Sequence, residues 1–225
     1  RWTATRNGSA GNTVRVAVSL VRGPDAEGYV RSVLNIAPNE LAAYWPLFEK
    51  GGTQAHELTA GMRHGTYSGA TPYQGYGPGG LPVPAFDGVN DEVYAPGPDI
   101  ANRSFTVAAW LKPSRVLGPT DLRHPICIVS AWETGKASWW WMSGTGQISV
   151  DIYGGYVASL DNALKLGVWQ PVVFVYDQPS ATGRIYVWGQ QVASGALGAY
   201  TGSAPTVHIG QKGDAYYYKG QAAHV

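Results

Sequence analysis

The chain has 225 residues, 44% of them hydrophobic and only 14% charged, with a formal net charge of +1. With no run of Lys or Arg, that balance leaves no basis for a nucleic-acid partner. No stretch approaches the roughly 20 consecutive apolar residues that span a bilayer, so insertion as a membrane helix is not expected.

The 30 Gly and 15 Pro call for many turns, and 9 Trp and 14 Tyr against 4 Phe supply large flat rings with a polar handle. The single cysteine, Cys127, sits in the apolar run HPICIVSAW and has no intrachain partner. It reads as a small buried hydrophobe. No signal-peptide pattern opens the chain, so a leader is expected to have been removed or the protein released another way, for example by lysis.

Residues 1–12 are polar and Gly-rich and are expected to be mobile. Residues 13–22, TVRVAVSLVR, alternate, with Val14, Val16, Val18 and Leu20 on one side; this predicts a half-buried strand. Gly23-Pro24 ends it, and Asp25 can cap a helix carrying Tyr29, Val30, Val33 and Leu34 at helical spacing. Pro38 opens another short turn. Residues 1–42 are therefore an extension too small to hold its own core, which must pack on the main domain or on another subunit.

From Ala43 the texture is short apolar runs separated by Gly, Pro, Asn and Asp. Strands are predicted at 44–48, 83–86, 91–95, 104–112, 126–132, 138–142, 146–153, 156–160, 169–176, 184–188, 191–194, 206–209 and 216–220. Gly189-Gln190 is expected to turn one of them into the next, and 66–82 reads as a loop. No long helical period follows residue 45. The pattern is all-β, a sandwich or barrel in one domain over 43–225.

Eight pieces in order carry a family resemblance: AYWPLFE (43–49), HGTYSG (64–69), AFDGVNDEV (85–93), SFTVAAWLKP (104–113), LGVWQPVVFVYD (166–177), GRIYVWGQQVASG (183–195), VHIGQK (207–212) and YYKGQAAHV (217–225). This series resembles the laminin-G-like, concanavalin-A-like jelly roll related to pentraxins. The resemblance implies a two-sheet antiparallel jelly-roll sandwich, preceded here by the short strand-helix extension. In relatives another strand closes the fold, so the end at Val225 suggests a truncated strand or one completed by a partner. The stretch VLNIAPNELAAYWPLFE also resembles laminin-G-like modules of tailed-phage virion proteins, which implies a tail, fibre or head-decoration setting.

Catalysis of the glycosidase type needs two carboxylates across the scissile bond, on this fold usually as E-x-D-x-E along one strand. No such triplet exists, and Asp151 stands alone; no catalytic residue is assigned. His56-Glu57 begins like a zinc helix, but position 60 is Ala. No cofactor is required. The resemblance implies a candidate calcium site of Glu57, Asp87, Asn90 and Asp91, although the loop that would support it departs from the family pattern. Read locally, Asp87, Asn90 and Asp91 are turn formers, and that reading is preferred.

The aromatics give the best functional lead. Because alternate strand residues face opposite ways, Trp140 must diverge from Trp139 and Trp141. Trp132, Trp139, Trp141, Tyr153 and Tyr156 are the candidate carbohydrate-binding residues, since exposed rings stack on the C–H faces of sugars; packing or a subunit interface is the competing use. The expected function is a non-catalytic surface module, extracellular or on a virion. It would bind a cell-surface glycan, or serve as an oligomeric assembly subunit contacting its neighbours through residues 1–42.

Overall fold

The computed structural model describes residues 2–3, 17–18, 26–70, 72–114, 123–152, 154–211 and 216–225. In chain order the strands are β1 (Trp2–Thr3), β2 (Ala17–Val18), β3 (Gln54–Ala55), β4 (Gly65–Ser68), β5 (Ala85–Asp87), β6 (Glu92–Pro96), β7 (Phe105–Pro113) and β8 (Ile126–Val129). They continue as β9 (Ala137–Met142), β10 (Ile148–Ile152), β11 (Gly155–Ala158), β12 (Gln170–Asp177), β13 (Thr182–Val187), β14 (Gln190–Ala196), β15 (Thr206–Ile209) and β16 (Lys219–Ala223). Helix α1 spans Ala26–Ile36, and a 3-10 turn spans Pro78–Gly80.

Two antiparallel sheets form the sandwich. The eight-stranded sheet runs β11-β10-β9-β8-β15-β6-β4-β3, and the six-stranded sheet runs β14-β13-β12-β7-β16-β5. The core fills the space between them because each strand alternates. On β12, Val172, Phe174 and Tyr176 are buried; the rings of Phe174 and Tyr176 lie 6.0 and 5.2 Å from that of Phe105 on β7. From the eight-stranded sheet, Val93, Ile126, Trp140, Val150 and Ile209 enter the same core.

Helix α1 is held on the domain by one residue above all. Tyr29 Oη accepts the Trp110 Nε1–H at 2.7 Å, and its ring centroid lies 4.3 Å from that of His224. Gly79, at φ +74°, lies against Tyr29, where an added Cβ would stand 3.1 Å from the Tyr29 Cβ. Tyr44 Oη donates to His224 Nδ1 at 2.7 Å, and His224 Nε2–H donates to the Pro78 carbonyl at 3.3 Å. Helix, 3-10 turn and C-terminal residues thus meet in one buried cluster. The extension expected to pack on the main domain does so through α1. Of the strand predicted at 13–22 only Ala17–Val18 is described, paired with Trp2–Thr3; the rest of it, most of 1–12 and the Asp25 cap lie outside the described residues.

Several elements differ from expectation. Residues 44–48 are not a strand: Leu47, at φ 58°, leaves extended geometry, and the backbone bonds to the chain end are those of Trp45 and Pro46 with Val225 and His224. The segment 66–82, read as a loop, begins as β4, with Tyr67 buried in the core. β8 stops at Val129, three residues before its predicted end. The hairpin from β13 to β14 turns at Trp188-Gly189, one residue earlier than predicted, with φ of 53° and 75° as a two-residue turn of the I′ kind requires. Trp188 tolerates that geometry while its ring packs edge-on against Trp110 at 5.6 Å. β16 lies between β7 and β5 and ends at Ala223, later than the predicted 216–220.

Candidate functional site

Of the aromatics singled out from sequence, Trp141 and Tyr156 lie together on the outer face of the eight-stranded sheet. Strand alternation sends Trp140 inward, where it is 1% exposed, and leaves Trp141 half-buried on the outside, over Cys127 and Ala137. The register then aligns one row across all eight strands: Tyr156, Asp151, Trp139, Cys127, His208, Tyr94, Thr66 and Gln54. Tyr156 is 63% exposed and Tyr94 42%. Trp139 is placed by backbone register alone, and Tyr153 lies outside the described residues.

Trp141 and Tyr156 form the centre of this face. Trp141 is opposite Ser149, and Tyr156 is opposite Asp151, so the two rings flank β10 diagonally. Their centroids are 6.3 Å apart at 51°, which brings them together over β10. Ser149 has no exposed surface, and its hydroxyl has no hydrogen-bond partner. A buried hydroxyl left unmade costs about 1–3 kcal/mol. Trp132 is exposed on the loop between β8 and β9; Thr134 of that loop approaches Gly154 in the β10–β11 turn, beside Tyr156.

Asp151 and Glu92 are the only carboxylates on the eight strands. Four strand spacings separate β10 from β6, so the two acids stand about 19 Å apart. Burial alone would raise the Glu92 pKa, but hydrogen bonds from His208 Nδ1, at 2.9 Å, and from Gln211 outweigh it and hold the group below the ordinary carboxylate value. Cys127 is fully buried, as expected. Sequence reasoning missed Ser149, Tyr94 and His208. β15 inserts between β6 and β8 from more than a hundred residues beyond β6, and no local signal announces that pairing.

The candidate calcium ligands have other partners. Glu57 Oε1 accepts the backbone N–H groups of Tyr44 and Thr59 at 3.0 and 2.6 Å, and Oε2 accepts that of Arg63 at 3.1 Å. Burial would raise its pKa; these hydrogen bonds prevail and lower it. Asp91 Oδ2 accepts the Asp87 N–H, while Asp87 Oδ1 accepts those of Val89 and Asn90. Among the described residues no three of His, Cys, Asp and Glu gather as a metal-holding group. The carboxylates of Glu57, Asp87 and Asp91 close turns through these bonds. Glu57→Ala strands three backbone donors and is expected to cost about 3 kcal/mol in urea unfolding. A loss below about 0.5 kcal/mol would show that Glu57 does not organise this turn.

The family model of the concanavalin A-like lectin/glucanases superfamily matches residues 87–225. Among solved structures, domain 4 of the extracellular arabinanase AbnA from Geobacillus stearothermophilus, in complex with arabinotriose, is similar at 14% identity and a TM-score of 0.57. That alignment covers 81% of this chain and 89% of that one. A Trypanosoma rangeli sialidase in complex with sialic acid is similar at 16% identity and a TM-score of 0.58, over 81% of this chain and 29% of that one. A heptameric pentraxin from Limulus polyphemus matches at 15% identity and a TM-score of 0.46, over 62% of this chain and 71% of that one. No curated protein matches the chain significantly. With an antiparallel two-sheet sandwich and a family match over more than half its length, the chain belongs to the concanavalin A-like lectin/glucanases superfamily.

Proposed function

We propose that this domain is a non-catalytic carbohydrate-binding module and that its sugar lies on the outer face of the eight-stranded sheet. The observation that carries the reading is the Trp141–Tyr156 pair of rings on this face, with Asp151 opposite Tyr156. Rings stack on sugar C–H faces at low ordering cost, and polar groups beside them take hydroxyls. Trp132, exposed on the β8–β9 loop, extends the surface toward the β10–β11 turn. A similar fold with arabinotriose bound, in the arabinanase domain, is in keeping with this use.

Hydrolysis by paired carboxylates needs them about 5–9.5 Å apart. The separation of about 19 Å between Asp151 and Glu92 does not meet that on this face. Binding is also read as independent of calcium, because Glu57, Asp87 and Asp91 are occupied by backbone donors. We place such a module outside the cell or on a virion surface, the setting implied by the resemblance of residues 33–49.

A glycan array probed with the purified chain, with calcium and with chelator, tests the reading. Binding should survive chelation and fall at least tenfold in Trp141→Ala/Tyr156→Ala, with the melting temperature lowered by only a few degrees. Loss on chelation, or full binding by the double variant, would reject it.

A further inference from the structure

Charge divides the two sheets. No Lys or Arg occurs on any of the eight strands β3, β4, β6, β8, β9, β10, β11 and β15, and their two acids are Asp151 and Glu92. Among the described residues, two cations at the rim of that sheet have partners of their own. Lys136 Nζ bonds Glu133 Oε2 at 2.6 Å, and Arg123 Nη1 donates to the carbonyls of Gly88 and Tyr217 at 3.3 and 3.1 Å. The six-stranded sheet, by contrast, carries Lys112, Arg184 and Lys219.

We infer that the sugar taken by the Trp141–Tyr156 face is uncharged: a glycan of neutral hexose or pentose units, not one carrying sialic or uronic acid. This rests on the binding role proposed above and names its ligand class. A sugar carboxylate is recognised by Arg or Lys, whose N–H donors match its two oxygens. Among the described residues this face has none to offer. An acidic sugar stacked between Trp141 and Tyr156 would instead lie beside Asp151, which register places directly opposite Tyr156. A carboxylate repels a second one and, being an acceptor only, suits the hydroxyls of a neutral sugar.

The experiment is an array of matched glycans, each neutral oligosaccharide printed beside its sialylated or uronic-acid-bearing counterpart, with titration of each hit. The neutral member should bind, and its acidic counterpart at least tenfold more weakly. Raising NaCl from about 0.05 to 0.5 M should change the affinity for the neutral hit less than twofold, because no charge pair is screened. Asp151→Asn should narrow the ratio between neutral and acidic members. Equal or preferential binding of the acidic members would overturn the assignment while leaving the binding role in place. Binding of no glycan, or binding indifferent to Trp141→Ala/Tyr156→Ala, would overturn the binding role itself and the assignment with it.

Discussion

Trp140→Ala is expected to destabilise the protein by about 4 kcal/mol, while Trp141→Ala, one residue away, costs about 1 kcal/mol. The contrast follows from strand geometry. Trp140 projects between the sheets, lies opposite Val150 on β10, and is among the largest fully buried side chains. Its removal leaves a cavity that two facing sheets cannot easily collapse to fill. Trp141 keeps part of its ring in solvent and covers a small cluster around Cys127 and Ala137. For a domain of this size the larger loss corresponds to about 10 °C in melting temperature. Thermal or urea unfolding of the two variants measures it. Equal losses, or a greater loss for Trp141→Ala, would mean that the faces of β9 are assigned the wrong way round.

The second large effect is in acid. Burial pushes the His224 imidazole down to about 4 from an ordinary 6.5, partly offset by its hydrogen bond to the Pro78 carbonyl. The neutral ring is satisfied at both nitrogens, accepting from Tyr44 and donating to Pro78. The folded state therefore resists a proton that the unfolded state takes readily. This contribution to stability is complete above pH 6.5, falls as the pH drops from 6.5 to 4, and falls no further below 4. Its size is roughly 3 kcal/mol. Tyr29 packs at a tilt against the same ring and anchors α1, so the helix should loosen first. In His224→Gln an amide can keep both hydrogen bonds without titrating. The difference in stability between wild type and variant should therefore change by about 3 kcal/mol across that pH range. A difference independent of pH would remove His224 from the account.

Much of the sandwich could be read from local alternation. β7 and β15 alternate, β12 is a continuous apolar run as a strand covered on both faces should be, and each forms within a residue or two of its predicted limits. The elements that were missed are short or Gly-rich. β3 has two residues, and β4, GTYS, shows its single core side chain, Tyr67, only once it is paired with β6. The turn at Trp188-Gly189 was displaced because a tryptophan at positive φ is not a sequence signal; its packing on Trp110 is a tertiary fact.

For the candidate site, alternation foretold that Trp140 would part from its neighbours. Which side is core depends on the register of β9 with β8 and β10. The remote members of the row, His208 and Tyr94, became visible only through pairing of distant strands. Glu57 had the residue type of a metal ligand, but its neighbours' backbone N–H groups claim its oxygens first.

The most direct test of the central claim compares the two sheets in one calorimetric titration series, using a neutral glycan that the wild-type chain binds. Tyr156→Ala removes a ring from the outer face of the eight-stranded sheet, and Trp188→Ala removes a comparably exposed ring at the β13–β14 turn of the six-stranded sheet. Loss of at least tenfold in affinity for Tyr156→Ala, with Trp188→Ala within about twofold of wild type, is the predicted result. Loss confined to Trp188→Ala would contradict the account and move the binding surface to the opposite sheet.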